Sequence, residues 1–456
     1  MKLVISKHVK ISGATPQSME EIKQALTMPN PELEQRQRLG KYTGNIDHHL
    51  KFYQEEHDAL IIPRGAADRA WVICRGNGEH IEFIDNRLEL PPVPLRFQGK
   101  LKPFQARAVK AMLKSSHGTL EASTGSGKTV MALSIIAARR QPALIIVHTT
   151  ELLHQWIKRI HTFLGIPPQQ VGIIGGGKKS VKSVTIATIQ SLCKCPEQYT
   201  PSFGHVIVDE AHKTPSKTFT DVVRSFQAKY LLGLTATAYR RDGLGPLIFH
   251  TLGSCRHKVH KEALLNRGDL CQAVVKWRYT DFNSWVDPSE FYSKVLSELT
   301  QDSARNRLIC SDVAGDDSQG IKLVLSDRKE HCRELRRILS ETHGIDAGLL
   351  LGGQSKKARA DVQDGIQAGT IKTLIATGQL IGEGFDLPAL ETLFLATPVK
   401  FSGRLIQYIG RILRPSQGKQ RATIYDYVDG QIGVFQASAK SRAWTYRQQH
   451  VEACNV

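Results

Sequence analysis

The chain of 456 residues lacks any apolar run approaching the roughly 18 residues that a membrane helix needs. Its N-terminus, M-K-L-V-I-S-K-H, breaks its apolar run too early for the h-region of a signal peptide. The eight cysteines show no two pairs with zinc-site spacing, and only Cys193 and Cys195 lie close together. We therefore expect a soluble, intracellular protein, cytoplasmic or nucleoid-associated, with free thiols and no membrane partner.

The chain also has few acidic residues relative to its basic ones. The chain has 43 Asp and Glu against 61 Lys and Arg, which gives a formal net charge of +18. A charge of this size indicates an acidic partner, and nucleic acid is the commonest one. No nuclease-like cluster of carboxylates and lysine stands apart from the motifs below, so we do not expect this chain to cleave nucleic acid.

The pattern of apolar runs and breaks predicts three segments. Residues 1–92 form a small α+β module, a candidate DNA-recognition domain, which ends at the stiff break Pro91–Pro94. Residues 93–260 and 261–456 each alternate apolar strands with helical stretches, which predicts two doubly wound parallel-sheet domains joined near residue 260. The second of these ends in a helical tail.

Local elements can also be predicted in the first segment. Its expected strands and helix are Leu3–Ile11 (strand), Ser18–Leu26 (helix), Leu60–Pro63 (strand) and Trp71–Cys74 (strand). Its basic residues are candidates for contact with a nucleic-acid backbone, although a solvated surface is an equal alternative. These residues are Lys51, Arg64, Arg69, Arg75 and Arg87.

Residues Ala122–Thr129 read A-S-T-G-S-G-K-T, at the end of an apolar run and the start of a helical pattern. Glycines let backbone N–H groups turn onto phosphate oxygens, and the following helix offers its positive N-terminal end. Lys128 can reach the β- and γ-phosphates, and the Thr129 hydroxyl suits Mg²⁺. The loop therefore predicts a site for ATP and Mg²⁺, with Thr124, Gly125, Ser126, Gly127, Lys128 and Thr129 as its binding residues.

An apolar strand, His205–Val208, ends in Asp209-Glu210-Ala211-His212. Ligands of open parallel sheets bind at the carboxyl ends of the strands. Asp209 can hold Mg²⁺ through water, and Glu210 can polarise the attacking water. A solvated acidic turn is the alternative, and the phosphate loop upstream argues against it.

The loop and the D-E-A-H sequence together resemble the superfamily 2 helicases, over about residues 95–430. Within that superfamily, E-L-L-x-Q-W and G-L-T-A-T-A-Y-R-R-D-G resemble the XPB and phage UvsW group most, although the family usually has Pro where this chain has Ala238. The resemblance implies two tandem RecA-like domains and an ATP-dependent helicase or translocase. It also implies 3′-to-5′ movement on duplex, forked or branched DNA. Contacts with phosphates carry no sequence information, so we expect this binding to be non-specific.

The resemblance also assigns residues in the first domain. Gln105 would read adenine, and His212, Thr235 and Thr237 would couple hydrolysis to movement of the strand. Contacts with the nucleic-acid backbone are implied for Thr149, Gln155, Lys178, Lys179, Thr188 and Arg240, together with Thr377 of the second domain.

In the second domain, Gly384 and Asp386 fall in a nucleotide-associated motif, G-E-G-F-D. Gln407, Arg411 and Arg414 match Q-x-x-G-R-x-x-R and recur at helical spacing, so they can share one helix face. As arginine fingers, the two guanidinium groups would stabilise charge on the transferring phosphoryl group.

Three alternatives to a DNA helicase stay open. One is an RNA helicase, because D-E-A-H also occurs in that setting. Another is an ATP-driven DNA-translocating subunit of a restriction, defence or repair complex. The third is a basic nucleic-acid-binding protein without motor activity.

Overall fold

The computed structural model describes residues 1–40, 42–213, 217–236, 243–378, 389–399, 402–416, 419 and 421–455. The chain divides into two compact units and passes from the first to the second between Val259 and His260. Within the described ranges, no helix is long and apolar enough to cross a membrane. Short 3₁₀ helices occur at Arg64–Ala66, Pro168–Gln170, Pro196–Gln198, Thr200–Ser202 and Ala211–Lys213.

The first unit begins with a five-stranded sheet of order β5-β6-β2-β1-β7, in which only the β1–β7 pair is parallel. A two-stranded ribbon, β3-β4, accompanies it. The elements are β1 (Lys2–Ile5), β2 (His8–Ser12), α1 (Pro16–Ala25), β3 (Thr27–Pro29), α2 (Pro31–Arg38), β4 (His49–Lys51), β5 (Gln54–Glu56), β6 (Ala59–Pro63), α3 (Ala67–Gly76) and β7 (Glu82–Asp85). Its own hydrophobic core confirms a small α+β module.

Some local predictions for this module are wrong. The stretch Leu3–Ile11 is a hairpin of two strands, because the chain turns where the Ser6 N–H donates to the His8 carbonyl at 2.8 Å. Trp71–Cys74 belongs to helix α3, whose buried residues follow a helical period. The strand at Leu60–Pro63 is confirmed.

Helix α1 begins earlier than predicted. Thr15 is its N-cap, and its hydroxyl oxygen accepts a hydrogen bond from the Ser18 N–H at 3.3 Å. Pro16 takes the first helical position, where its missing N–H has no cost. Ser18 therefore lies inside the helix and is buried there.

The first parallel sheet has eight strands in the order β11-β10-β12-β9-β13-β14-β8-β15, and only β11 is antiparallel. Its elements are α4 (Pro103–Leu113), β8 (His117–Ala122), α5 (Lys128–Arg139), β9 (Ala143–Val147), α6 (Thr150–Leu164), β10 (Gly172–Gly175), β11 (Lys178–Ser180), β12 (Val184–Thr188), α7 (Ile189–Leu192), β13 (His205–Val208), α8 (Lys217–Ser225), β14 (Tyr230–Thr235), α9 (Gly245–Leu252) and β15 (Cys255–Val259). The strands β9, β12 and β13 are buried along their whole length, as helices on both faces require.

The second unit contains a seven-stranded parallel sheet of order β18-β19-β17-β20-β21-β16-β22. Its elements are α10 (Lys261–Asn266), β16 (Gln272–Thr280), α11 (Tyr292–Gln301), α12 (Ser303–Gly315), β17 (Ile321–Ser326), α13 (Lys329–His343), β18 (Gly348–Leu350), α14 (Lys356–Gln367), β19 (Thr373–Thr377), β20 (Leu390–Leu395), α15 (Ser402–Ile412), β21 (Arg421–Asp429), α16 (Gly433–Gln448) and β22 (Glu452–Asn455). The helical tail is present as α16, and an unpredicted strand, β22, follows it. The two sheets confirm the predicted pair of doubly wound parallel-sheet domains.

Two arginines of the N-terminal module hold it against the first parallel sheet. Arg64 is buried, and its Nη1 donates to the main-chain oxygen of Ala228 at 2.6 Å. Arg87 pairs with Asp85 at 2.6 Å and donates to the Ser116 hydroxyl at 2.6 Å. The suggestion that Arg64 and Arg87 contact a nucleic-acid backbone is therefore wrong, because both guanidinium groups point into the protein.

The segment after the module is also fixed in place. The Leu88 N–H donates to the Gln227 carbonyl, and the Lys229 N–H donates to the Leu88 carbonyl, both at 2.8 Å. Two residues on, Leu90 exchanges two hydrogen bonds of 2.8 Å with the side-chain amide of Gln141. The prolines that follow therefore extend a segment already docked on the first parallel sheet.

Candidate nucleotide site and nucleic-acid interface

The predicted phosphate loop joins β8 to α5. Gly125 and Gly127 have φ angles of +88° and +85°, in the left-handed region that favours glycine. Helix α5 then begins at Lys128, so its N-terminal N–H groups face the loop. The Lys128 ammonium donates to the carbonyl of Ala122 at 2.9 Å, which keeps it folded back over the loop. This is the arrangement that a phosphate-binding loop requires.

Gln105, the predicted adenine reader, lies beside this loop. It is buried near the start of α4, and its side-chain oxygen accepts the Lys102 N–H at 2.9 Å. A Cβ added at Gly127 would be 2.4 Å from Nε2 of Gln105. The Gln105 amide can therefore approach the loop this closely because residue 127 is glycine.

Asp209 follows β13 directly and is buried. Its Oδ2 accepts the indole N–H of Trp156 at 2.8 Å, and its Oδ1 accepts the Glu210 N–H at 3.0 Å. Burial, and then the neighbouring Glu210 carboxylate, raise the pKa of Asp209 to about 6, while Lys128 and the two hydrogen bonds oppose this rise. A cation bound here would favour the ionised carboxylate.

These observations test whether Mg²⁺ and a nucleotide suit the residues present. Burial and the neighbouring Glu210 raise the pKa of the Asp209 carboxyl, and a bound cation would oppose both effects. Lys128 is close enough to act on it electrostatically. In such sites, carboxylate and hydroxyl oxygens bind Mg²⁺. Main-chain N–H groups donate hydrogen bonds to the phosphates. The residues therefore fit both groups.

A chain of polar contacts leads away from Glu210. Glu210 has φ +53°, which is uncommon for a residue with a side chain. Its Oε2 lies 3.2 Å from Nδ1 of His212, and the same nitrogen lies 3.5 Å from the hydroxyl of Thr235, at the end of β14. The structure thus brings together two of the three predicted coupling residues, and Thr237 lies outside the described residues.

Predicted backbone-contact residues cluster at the carboxyl ends of neighbouring strands. Thr149 follows β9 closely, and Thr188 ends β12. Because β9, β12 and β13 are parallel neighbours, these positions share one edge of the sheet with Asp209. Lys178 and Lys179 are exposed on the short edge strand β11. Arg240 lies outside the described residues.

Both threonines also have structural partners. The Thr149 hydroxyl caps α6 by accepting the Leu152 N–H at 3.3 Å. The Thr188 hydroxyl, on a buried residue, donates to the Ser191 hydroxyl at 2.9 Å. Their side chains therefore shape the helix starts, and Lys178 and Lys179 are the more accessible candidates for phosphate contact.

In the second unit, Gln407 and Arg411 lie one turn apart on α15, and Arg411 is buried. Helix α15 ends at Ile412, so Arg414 lies in the turn that follows. The expectation that all three share one helix face is therefore wrong for Arg414. Its N–H donates to the Arg411 carbonyl at 3.2 Å, which keeps the two residues adjacent.

Helix α15 is tied to the neighbouring strand end. The Tyr408 hydroxyl donates to the carbonyl of Gly378 at 2.8 Å, directly after Thr377 ends β19. Thr377 is buried. Gly384 and Asp386, which follow in the same motif, lie outside the described residues.

Trp156 is the site residue that sequence reasoning missed. It was part of a segment resembling a nucleic-acid-contacting motif, without a role of its own. The N–H of a buried tryptophan usually has a hydrogen-bond partner, so the sequence indicates that some partner exists. It does not indicate which one, because Asp209 lies 53 residues away.

The fold and site define a class of protein: a P-loop nucleotide-binding protein built on two parallel-sheet domains. Comparison with known families narrows this class. Residues 98–240 match the family described as type III restriction enzyme, res subunit, and residues 301–416 match the helicase conserved C-terminal domain. Together these two matches support a superfamily 2 helicase related to the XPB group.

Two relatives illustrate the relationship. The DNA 3′-5′ translocase XPB2 of Sulfurisphaera tokodaii is 37% identical over 180 residues, which are 38% of this chain and 40% of that protein. A protein of Acanthamoeba polyphaga mimivirus, named as an ATP-dependent RNA helicase, is 26% identical over 390 residues, 81% of this chain and 72% of the relative. The chain thus matches less than half of the first relative's length.

A solved structure shares the fold. S. cerevisiae Dbp5 bound to RNA and ADP BeF3 superposes with a TM-score of 0.56, at 15% identity, over 78% of this chain and 90% of that one. At this identity the likeness concerns the fold of the two parallel-sheet domains.

Proposed function

We propose that this protein is an ATP-driven motor that moves along DNA, 3′ to 5′, and remodels forked or branched duplexes. The observation that carries the proposal is the contact chain from Glu210 through His212 to Thr235. The first residue is the candidate that activates water, and the last lies on the neighbouring strand end. A nucleotide bound near Glu210 and the end of strand β14 can therefore affect each other through the Glu210–His212 and His212–Thr235 contacts.

Each site residue has a role in this proposal. Lys128 would hold the phosphates, Thr129 and Asp209 would hold Mg²⁺, and Glu210 would orient the attacking water. Bound MgATP supplies the phosphoanhydride, with its phosphate charge partly neutralised by the metal. By resemblance, Arg411 and Arg414 stabilise charge on the transferring phosphoryl group, and Gln407 assists them.

The charge distribution supports nucleic acid as the partner of the two parallel-sheet domains. Residues 1–92 contain 12 Lys and Arg against 13 Asp and Glu, whereas residues 93–456 contain 49 against 30. The positive excess therefore lies outside the N-terminal module. Binding through Lys178, Lys179 and similar residues would be non-specific and weakened by salt, with a log–log slope of roughly 0.9 per phosphate contact on duplex DNA.

Two other activities have specific support. The mimivirus relative named as an RNA helicase aligns with most of the chain, which keeps RNA as an alternative partner. The family model for a type III restriction enzyme subunit favours, as the second alternative, a DNA-translocating subunit that serves another protein.

The test is the rate of ATP hydrolysis with single-stranded DNA, duplex, fork, Holliday junction and RNA at one salt concentration. We expect the largest stimulation with forked or branched DNA. A preference for RNA would overturn the DNA assignment. Equal stimulation by plain duplex without strand displacement would favour the translocating subunit.

Lys128→Ala tests the phosphate loop itself. It should abolish the stimulated hydrolysis, because the loop loses its only lysine for the β- and γ-phosphates. Lys114→Ala, at an exposed position after α4, is the matched control and should keep full activity. Full activity in the Lys128→Ala protein would refute the assignment of the loop.

A further inference from the structure

A tryptophan on a helix contacts the candidate metal carboxylate directly. Trp156 lies on α6, is 1% exposed, and its indole N–H donates to Oδ2 of Asp209 at 2.8 Å. Both residues are in the first unit. The indole nitrogen is only a donor, so this bond forms only with an acceptor oxygen of the carboxyl group.

The two oxygens of Asp209 have different partners from different elements. Oδ1 accepts the N–H of Glu210, the next residue, and Oδ2 accepts Trp156 from another helix. One local donor and one distant donor together define the plane of the carboxylate, and each oxygen keeps a second lone pair for a ligand. Hydrogen-bond donors of this kind orient metal-binding carboxylates and adjust their affinity.

The helix that carries Trp156 also carries the segment predicted to contact nucleic acid. Thr149 caps it, and Gln155 directly precedes the tryptophan. Leu153 and Ile160 are buried on the same helix and anchor it in the core. Thr149 and Gln155 are therefore joined to Trp156 by continuous helical backbone.

We propose that Trp156 is a positioning residue for Asp209, which links the occupancy of the nucleic-acid segment on α6 to the affinity for MgATP. The proposal rests on the proposed function. It adds a direct route from nucleic acid to the metal carboxylate, separate from the contacts of Glu210 with His212 and Thr235. Trp156 acts only through Asp209.

The test removes the N–H while keeping an aromatic side chain. In the full chain, Trp156→Phe should raise the Mg²⁺ concentration for half-saturated binding of a fluorescent, non-hydrolysable ATP analogue about 10- to 100-fold, the usual effect of losing such a donor. Duplex DNA should lower this Mg²⁺ requirement in the parent protein, and Trp156→Phe should lose that shift.

Trp285→Phe is the matched control, because Trp285 is fully exposed in the second unit. It should keep the parent Mg²⁺ requirement and the shift with DNA. If Trp156→Phe fails to fold, benzothienylalanine at position 156 preserves the shape of the indole and replaces only its N–H with sulfur. It should show the same 10- to 100-fold change.

Asp209→Asn provides a second measurement. In that background, Trp156→Phe should change Mg²⁺ dependence no further, because both substitutions act on one carboxylate. An unchanged Mg²⁺ requirement in folded Trp156→Phe or benzothienylalanine protein would overturn the proposal. A parent protein whose Mg²⁺ requirement no nucleic acid changes would overturn the link to nucleic acid. A parent protein whose ATP hydrolysis no nucleic acid stimulates would instead refute the proposed function, while the Mg²⁺ comparison would still test the positioning of Asp209.

Discussion

Gly65 lies against the carbonyl group of Phe249, so close that a Cβ on Gly65 would be 2.4 Å from that oxygen. The same Cβ would be 2.5 Å from the main-chain nitrogen of Gly253. Gly65 belongs to the N-terminal module, and Phe249 lies on α9 of the first parallel-sheet domain. Backbone thus packs on backbone here, and only glycine allows it.

Gly65→Ala should separate the N-terminal module from the first parallel sheet. Its methyl group meets main-chain atoms that cannot rotate away, so we expect the free energy of unfolding to fall by about 1–3 kcal/mol, the usual cost of overpacking. Urea denaturation measures this change. Faster hydrogen exchange at the Leu88 N–H, which bonds across the same junction, would locate it.

Gly76→Ala is the control for that experiment. Gly76 ends α3, and a Cβ there would have no atom within 4 Å. Alanine in a helix should stabilise the protein slightly. Equal unfolding free energies for the two variants would show that the contact of Gly65 with α9 does not hold the module in place.

Glu210→Gln tests the candidate for water activation. The amide keeps the size of the side chain but cannot accept a proton, so kcat for ATP hydrolysis should fall about 10²- to 10⁴-fold. Binding of a fluorescent ATP analogue should remain within a few-fold of the parent value. The exposed Glu197→Gln is the control. Lost ATP binding with a normal rate at saturation would show that Glu210 has another role.

The parallel sheets could be predicted because their strands are local features of the sequence. Strands such as β9 and β13 are buried on both faces, so each appears as a mostly apolar run. The phosphate loop and the Asp209–Glu210 pair could be predicted for the same reason. Each is one short segment at the carboxyl end of such a run.

Contacts between distant segments could not be predicted in this way. Arg64 and Ala228 are 164 residues apart, and Trp156 and Asp209 are 53 apart, so their spacing carries no signal. The secondary structure of the N-terminal module was also harder to predict, because the apolar run around Trp71 is compatible with a strand or a helix. The segment forms a helix because Ala67, Ala70 and Cys74, which recur at helical spacing, are the residues that it buries.

Thr235→Val tests the contact chain from Glu210. Valine keeps the shape of this fully buried residue and removes the hydroxyl near His212. A net hydrogen bond contributes about 1 kcal/mol to stability, so the variant should stay folded. We expect the distance moved per ATP hydrolysed to fall. ATP hydrolysis itself should change little. Thr162→Val, on the exposed face of α6, should change neither quantity. A parallel loss of hydrolysis and movement would argue against a coupling role.

His250 should make the first unit sensitive to acid. Burial, with Arg69 and Arg224 nearby, lowers the pKa of His250 from 6.5 to about 4. The unfolded chain therefore takes up a proton at a higher pH than the folded chain does. The resulting loss of stability begins as pH falls through about 6.5 and is complete near 4, reaching about 3 kcal/mol for this residue.

The measurement is urea unfolding at pH 7, 6 and 5. His250→Gln removes the titrating group beside Phe52, whose ring centroid lies 5.1 Å from that of His250. Its unfolding free energy should therefore depend less steeply on pH than that of the parent protein. Burial also lowers the pKa of His117 to about 4, so part of the slope should remain. The exposed His161→Gln should keep the whole slope. A His250→Gln protein as acid-sensitive as the parent would show that His250 does not titrate between these two pKa values.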